Sequence, residues 1–299
     1  MKNWIAVLAL SCASCSKKAE EKAAPATQEP AEPAKPAKAP FSAAWLGKSV
    51  APPGELAKIK LGSTVDEAKQ ASPLADTAGT QESEIEGVAY AVQKDTENVI
   101  TDLVLRLPAG KQAVIEEAWG PGQAADRGGK PVVVWFNPET GIRAAYDEDG
   151  DRAHLRFEPY VPLAKLLGDG PAIAALGKPF AGKTKDELAT IYAEYSKNGG
   201  MWLPATEWEF GSGIPLSPYP LSKPIASLAF SIPFNPKGKG EVEVMEVITA
   251  KWGEAKGEVP FGNIGKEKTH VYNKKDPRIE VTGPGGYNAK AITIRIGGT

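Results

Sequence analysis

Gly62-Ser63-Thr64-Val65-Asp66-Glu67 and Gly182-Lys183-Thr184-Lys185-Asp186-Glu187 share one opening, Gly-x-Thr-x-Asp-Glu, and its recurrence decides how the chain is read. Further pairs follow in the same order. Val114-Ile115 with Trp119-Gly120 matches Val247-Ile248 with Trp252-Gly253, Phe136-Asn137 matches Tyr272-Asn273, and Arg143 falls opposite Arg278. The offset between partners grows along the chain, and the Pro-rich insert GSGIPLSPYPLSKP, Gly211 to Pro224, accounts for the growth. Ordered matches at a long period are the signature of an internal repeat. The expectation is a tandem duplication, with unit one over residues 41–168 and unit two over residues 169–299.

Periodicity fills in each unit. Thr64 with Glu67, and Thr184 with Glu187, have the spacing of a capping box, so a short helix opens each unit. Ile85 to Val92 and Ile100 to Leu107 alternate like strands, with Leu103, Leu105 and Leu107 on one face; Trp208 to Phe210 and Ile225 to Ile232 are their expected counterparts. A second helix carries Val114, Ile115, Ala118 and Trp119, and Val247, Ile248 and Trp252 repeat the stripe before a Gly suited to the helix C-terminus. Both tryptophans read as core. Strands follow at Val132 to Phe136, Ile142 to Tyr146 and His154 to Phe157, echoed by Thr269 to Tyr272, Arg278 to Val281 and Ala291 to Ile296. Helices beside antiparallel meanders give an α+β class: two tandem repeats of a helix-plus-antiparallel-meander unit.

This order of elements, with the Gly-x-Thr-x-Asp-Glu opening, resembles the helix-plus-meander units of β-lactamase inhibitory proteins and of outer-membrane assembly lipoproteins. The resemblance is architectural, covers each unit in part and carries no residue across. It implies a non-catalytic binder.

The first fifteen residues, MKNWIAVLALSCASC, join Lys2, an apolar run from Trp4 to Leu10 and small residues leading to cysteine, the pattern of an export signal. The run is far shorter than the ~20 residues of a spanning helix. It resembles the signal of bacterial lipoproteins, which implies lipidation of Cys15, favoured on signal length, or alternatively Cys12, and a membrane lipid anchor. Stable anchoring takes two or more membrane signals. A plain cleaved signal is the competing reading. Ser16 to Pro40, SKKAEEKAAPATQEPAEPAKPAKAP, has too few large apolar residues to bury a core and reads as a disordered, semi-rigid spacer.

Among 299 residues, 35 Lys and Arg against 37 Asp and Glu leave a net charge of −2, so no basic surface argues for nucleic acid. The only two cysteines are in the signal segment, which excludes disulfides and thiol catalysis from the folded part.

Gly177-Lys-Pro-Phe-Ala-Gly182-Lys183-Thr184 fits the Walker A pattern, yet phosphate chemistry needs a buried strand before it and an acidic strand end for magnesium. The lead-in Ala172 to Leu176 is weakly strand-like, Ser63 replaces Lys183 in the other copy, and Thr184 is already assigned as a helix cap. No nucleotide site is read here. Asp147, Asp149, Asp151 and Glu158 have the spacing of a calcium loop, but Arg152 stands where Gly must turn the chain and the flanks are strand-like. A solvated hairpin is the preferred reading; the Gly283-Pro-Gly-Gly286 stretch of unit two has no acids. His154 and His270 lie in non-equivalent strands without metal-ligand spacing. Glu82, Glu84 and Glu86, echoed by Glu207 and Glu209, read as a wet or edge face rather than a glycosidase pair. No cofactor and no catalytic residue is assigned.

The expected function is a non-catalytic envelope lipoprotein, anchored in an outer membrane and facing the periplasm or the surface. It would bind an envelope protein through an exposed aromatic patch involving Trp202, Tyr219 and the Pro-rich insert. A small-ligand or calcium binder and an exported hydrolase are the alternatives.

Overall fold

The computed structural model describes residues 41–79, 82–170, 176–197, 199–211, 213–221, 224–260, 268–273, 277–284 and 289–297. Cys12, Cys15, the signal segment 1–15, the spacer 16–40, residues 172–175 before the Walker-like pattern, and Gly285 and Gly286 lie outside them. Ala39–Thr299 form one compact unit with helices packed on antiparallel sheets, an α+β architecture.

The first half begins with α1 (Ala43–Leu46) and α2 (Val65–Ala71). It continues through β1 (Ser83–Ile85), β2 (Val88–Lys94), β3 (Ile100–Pro108), α3 (Gln112–Trp119), β4 (Gln123–Arg127), β5 (Lys130–Asn137), β6 (Ile142–Asp149) and β7 (Arg152–Pro159). Its strands hydrogen-bond in the order β1-β2-β3-β7-β6-β5-β4. Strand alternation turns Leu103, Leu105, Leu107, Leu155 and Phe157 to one face, where Val65 and Ala68 of α2 and Ile115 of α3 cover them. Each fully buried Leu or Phe side chain contributes about 1.5–3 kcal/mol of transfer free energy, which makes this face the main source of the half's stability. Trp119 packs edge-on against Trp135 and Phe157, with ring centroids 6.0 Å from each.

The second half has α4 (Leu163–Leu167) and α5 (Lys185–Ile191), then the small sheet β10-β9-β8 made of β8 (Ser196–Lys197), β9 (Gly200–Leu203) and β10 (Ile214–Pro215). After them come β11 (Ser217–Tyr219), β12 (Ser227–Pro233), α6 (Glu241–Trp252), β13 (Glu258–Pro260), β14 (Lys268–Asn273), β15 (Arg278–Thr282) and β16 (Ala291–Gly297). These strands pair as β11-β12-β16-β15-β14-β13. In both large sheets a helix follows the opening strands, and the last strand of a four-strand meander returns beside the strand that precedes that helix: β7 beside β3, β16 beside β12.

Both capping boxes form. The Thr64 amide donates to Glu67 Oε2 at 2.9 Å and the Glu67 amide to Thr64 Oγ1 at 3.3 Å; at α5 the Thr184 and Glu187 distances are 2.8 and 3.2 Å. Each box satisfies two donors that have no partner inside the helix. Gly120 and Gly253 end α3 and α6 with φ of 79° and 74°, a left-handed backbone that favours glycine.

Two strand expectations are corrected. Ile85 to Val92 is not one strand: Glu86 at φ 48° and Gly87 at φ 86° make a two-residue turn, and Ile85 faces Val88 across the β1–β2 hairpin. Trp208 to Phe210 forms no strand, because its apolar side chains lie on the first sheet and the carbonyls of Thr206 and Glu207 just before it are held by Arg143 there.

Candidate functional site: the strapped face of the first sheet

The face of the first sheet turned away from its helices carries Asp102 on β3, Arg143 and Asp147 on β6, and His154, Arg156 and Glu158 on β7. Residues 204–211, the link from β9 to β10, cross this face as a strap. Trp208 packs on Ala125, Val132, Val134 and Ala145, and meets Phe136 edge-on at 5.0 Å. The Val161 amide donates to the Ala205 carbonyl at 2.8 Å, and both carboxylate oxygens of Glu207 accept from the Leu163 amide at the start of α4, at 3.0 and 3.2 Å.

Arg143 is the pin. Its side chain is 1 % exposed, and Nη1 donates to the Thr206 and Glu207 carbonyls at 2.8 and 3.0 Å. Nε donates to Glu158 Oε2 at 3.0 Å, while Arg127 Nη2 takes Glu158 Oε1 at 2.5 Å. Phe210 lies against both cations, its ring centroid 4.5 Å from the Arg143 guanidinium and 5.6 Å from that of Arg127. Burial pushes the Arg143 pKa down and the Glu158 charge pulls it back up, the balance expected of a desolvated ion that keeps its counter-ion. Beside this network Arg156 pairs with Asp102. Burial raises the Glu207 and Glu209 carboxyls above their ordinary values.

Two cavities flank the Arg127–Phe210 contact. One, of about 400 Å³, is lined by Asp102, Glu158, Tyr160, Lys197, Pro204 and Phe210 among others. The second, of about 610 Å³, reaches Asp147, Asp149, His154, Trp208 and Glu209. Both oxygens of Glu158 are engaged by guanidinium groups, and the lining of the first cavity as a whole carries three carboxylates, Asp95, Asp102 and Glu158, against three cations, Arg127, Arg143 and Lys197. A lining of balanced charge favours ligands that bring no net charge.

The calcium-spaced carboxylates are not brought together. Asp149 faces Arg152 across a tight turn at Gly150-Asp151, Asp147 Oδ1 lies 3.2 Å from His154 Nδ1, and Glu158 sits at the far end of β7 with the arginines. Among the described residues no group of three or more His, Cys, Asp or Glu side chains is placed to hold a metal ion. His270 is on the second sheet, 3.6 Å from Glu258. In the Walker-like stretch the Gly182 amide donates to the Ile225 carbonyl and the Lys183 amide to the Phe180 carbonyl, while Lys183 Nζ lies 3.5 Å from Glu187. These donors are spent inside the protein. Glu82 pairs with Arg106, and Glu86 Oε2 accepts from Trp45 Nε1 at 2.5 Å.

Sequence reasoning placed Arg143 in the repeat but missed its role. The signal is present in Ile142-Arg143-Ala144-Ala145-Tyr146: a lone cation in a strand whose both faces are apolar must find a buried partner. Tyr160 and Phe210 carry no comparable signal.

Comparison with protein-family models, with curated proteins and with solved structures finds no match.

Proposed function

We propose that the chain is a non-catalytic envelope lipoprotein that binds a protein partner. It is tethered through Cys15, with Cys12 as the alternative, and residues 16–40 hold the folded part away from an outer membrane. The observation that carries the binding role is the sheet edge at Tyr219 and Leu221, which are 45 % and 70 % exposed. Two large apolar side chains so close together in water mark a contact surface more readily than a fold requirement. Tyr219 also has the Arg295 guanidinium 5.8 Å from its ring, and Tyr and Arg are the residue types that dominate binding energy at interfaces. Pro218 in the edge strand β11 and Pro220 directly after it carry no backbone donor, so the partner is engaged by side chains rather than by strand addition.

The folded part is, in this reading, a tandem duplication of one α+β unit. The shared strand order of the two large sheets, the paired capping boxes and the matched helices α3 and α6 support it. The resemblance to β-lactamase inhibitory proteins and outer-membrane assembly lipoproteins belongs to the same proposal. Changing Tyr219→Ala and Leu221→Ala together tests it: capture of the partner from intact membranes falls, while the melting temperature stays that of the parent. Undiminished capture contradicts the assigned surface.

A further inference from the structure

The cavity of about 400 Å³ beneath the strap has a feature that the partner-binding reading leaves unused. Tyr160 lines it and is 5 % exposed; its backbone amide donates to the Gly141 carbonyl at 2.8 Å and its ring meets Phe136 edge-on at 5.5 Å. Its hydroxyl has no hydrogen-bond partner among the described residues. The hydroxyl is not among the sealed polar atoms that lack a partner, so it is reachable from the cavity, and a ligand acceptor that replaces water there makes a hydrogen bond in lower dielectric than bulk solvent. Burial pushes the Tyr160 pKa up to about 12, so the group is a donor across the physiological range. The charges of the lining balance, Asp95, Asp102 and Glu158 against Arg127, Arg143 and Lys197, with Arg127 and Arg143 both on Glu158 and Asp102 also held by Arg156. Val99, Pro159, Val161, Pro204 and Phe210 supply apolar wall. The volume lies within the range of small-molecule sites, about 300–1,000 Å³.

We propose that this cavity binds a small neutral molecule with an apolar body and a hydrogen-bond acceptor that takes the Tyr160 hydroxyl. The site is independent of the surface at Tyr219 and Leu221, so failure of either assignment leaves the other standing.

The test uses the full 299-residue chain with Cys12→Ser and Cys15→Ser, which carries no acyl group that would bind the probe. Prodan, a neutral naphthyl ketone, is titrated in and its emission recorded. Saturable, blue-shifted emission with one site is expected. Tyr160→Phe weakens prodan binding about tenfold, the worth of one buried hydrogen bond. Naphthalene, which has no comparable acceptor, competes equally well in parent and variant. Val99→Trp, which fills the cavity, abolishes binding; if that variant fails to fold, the Tyr160→Phe comparison decides alone. Absence of saturable binding, prodan affinity unchanged by Tyr160→Phe, or full binding by a folded Val99→Trp protein overturns the proposal.

Discussion

Replacing Arg143 by alanine is the sharpest perturbation of the contact between the strap and the first sheet. The substitution strips the donor from the Thr206 and Glu207 carbonyls, and a buried acceptor left unsatisfied costs about 1–3 kcal/mol. It also removes the cation from the Phe210 ring face. Glu158 is not stranded, because Arg127 still holds its other oxygen at 2.5 Å. Two buried carbonyls without a donor, together with the lost ring contact, put the loss near 3–5 kcal/mol, about 1–3 kcal/mol for each carbonyl. At about 2–4 °C per kcal/mol for a chain of this size, the melting temperature drops by about 6–20 °C. Urea unfolding of the full chain measures the loss, and hydrogen exchange at the Val161 amide, bonded to the Ala205 carbonyl of the strap, reports whether the strap has come away. A loss below about 1 kcal/mol with unchanged exchange at Val161 refutes the reasoning.

Thr64→Ala and Thr184→Ala each remove one capping box, so each should cost about 0.5–2 kcal/mol and the double variant about their sum, read from urea midpoints. Glu207 has its folded pKa raised above the ordinary 4.5, first by burial, so its contribution to stability is present below 4.5 and is lost as pH rises through the folded value. Gln at this position does not titrate. The stability of Glu207→Gln relative to the parent should therefore grow as pH rises above 4.5 and level off once the folded value is passed, and a flat difference contradicts the burial argument. Calcium at millimolar concentration should leave the melting temperature unchanged, since the strand pairing separates Glu158 from Asp147 and Asp149. An upward shift abolished by Asp149→Ala restores the calcium reading.

The elements that local chemistry dictates were legible in the sequence. Thr64 with Glu67, and Thr184 with Glu187, announce helix starts because the bonds they make span only three residues. Leu103, Leu105 and Leu107 announce a strand because one face must leave water. The strap was not legible, since Glu207, Trp208, Glu209 and Phe210 alternate as a strand does. Only the three-dimensional position of Arg143, which takes the carbonyls of Thr206 and Glu207, diverts that segment onto a different sheet. The break at Glu86-Gly87 was missed for a related reason: alternation alone does not show that a non-glycine residue adopts a positive φ. The cavity beside Tyr160 depends on residues from β7, the strap and the β2–β3 turn, which no local pattern brings together.

Binding of an envelope partner at the exposed sheet edge is tested most directly by a photo-crosslinking residue placed at Leu221 in intact source cells. Mass spectrometry then identifies the adducts and the mature N-terminal peptide. The account predicts one dominant envelope-protein adduct, absent when the same residue is placed at Lys58 on the first half, together with an acylated Cys15 or Cys12. A soluble, unacylated chain with no adduct specific to position 221 contradicts it.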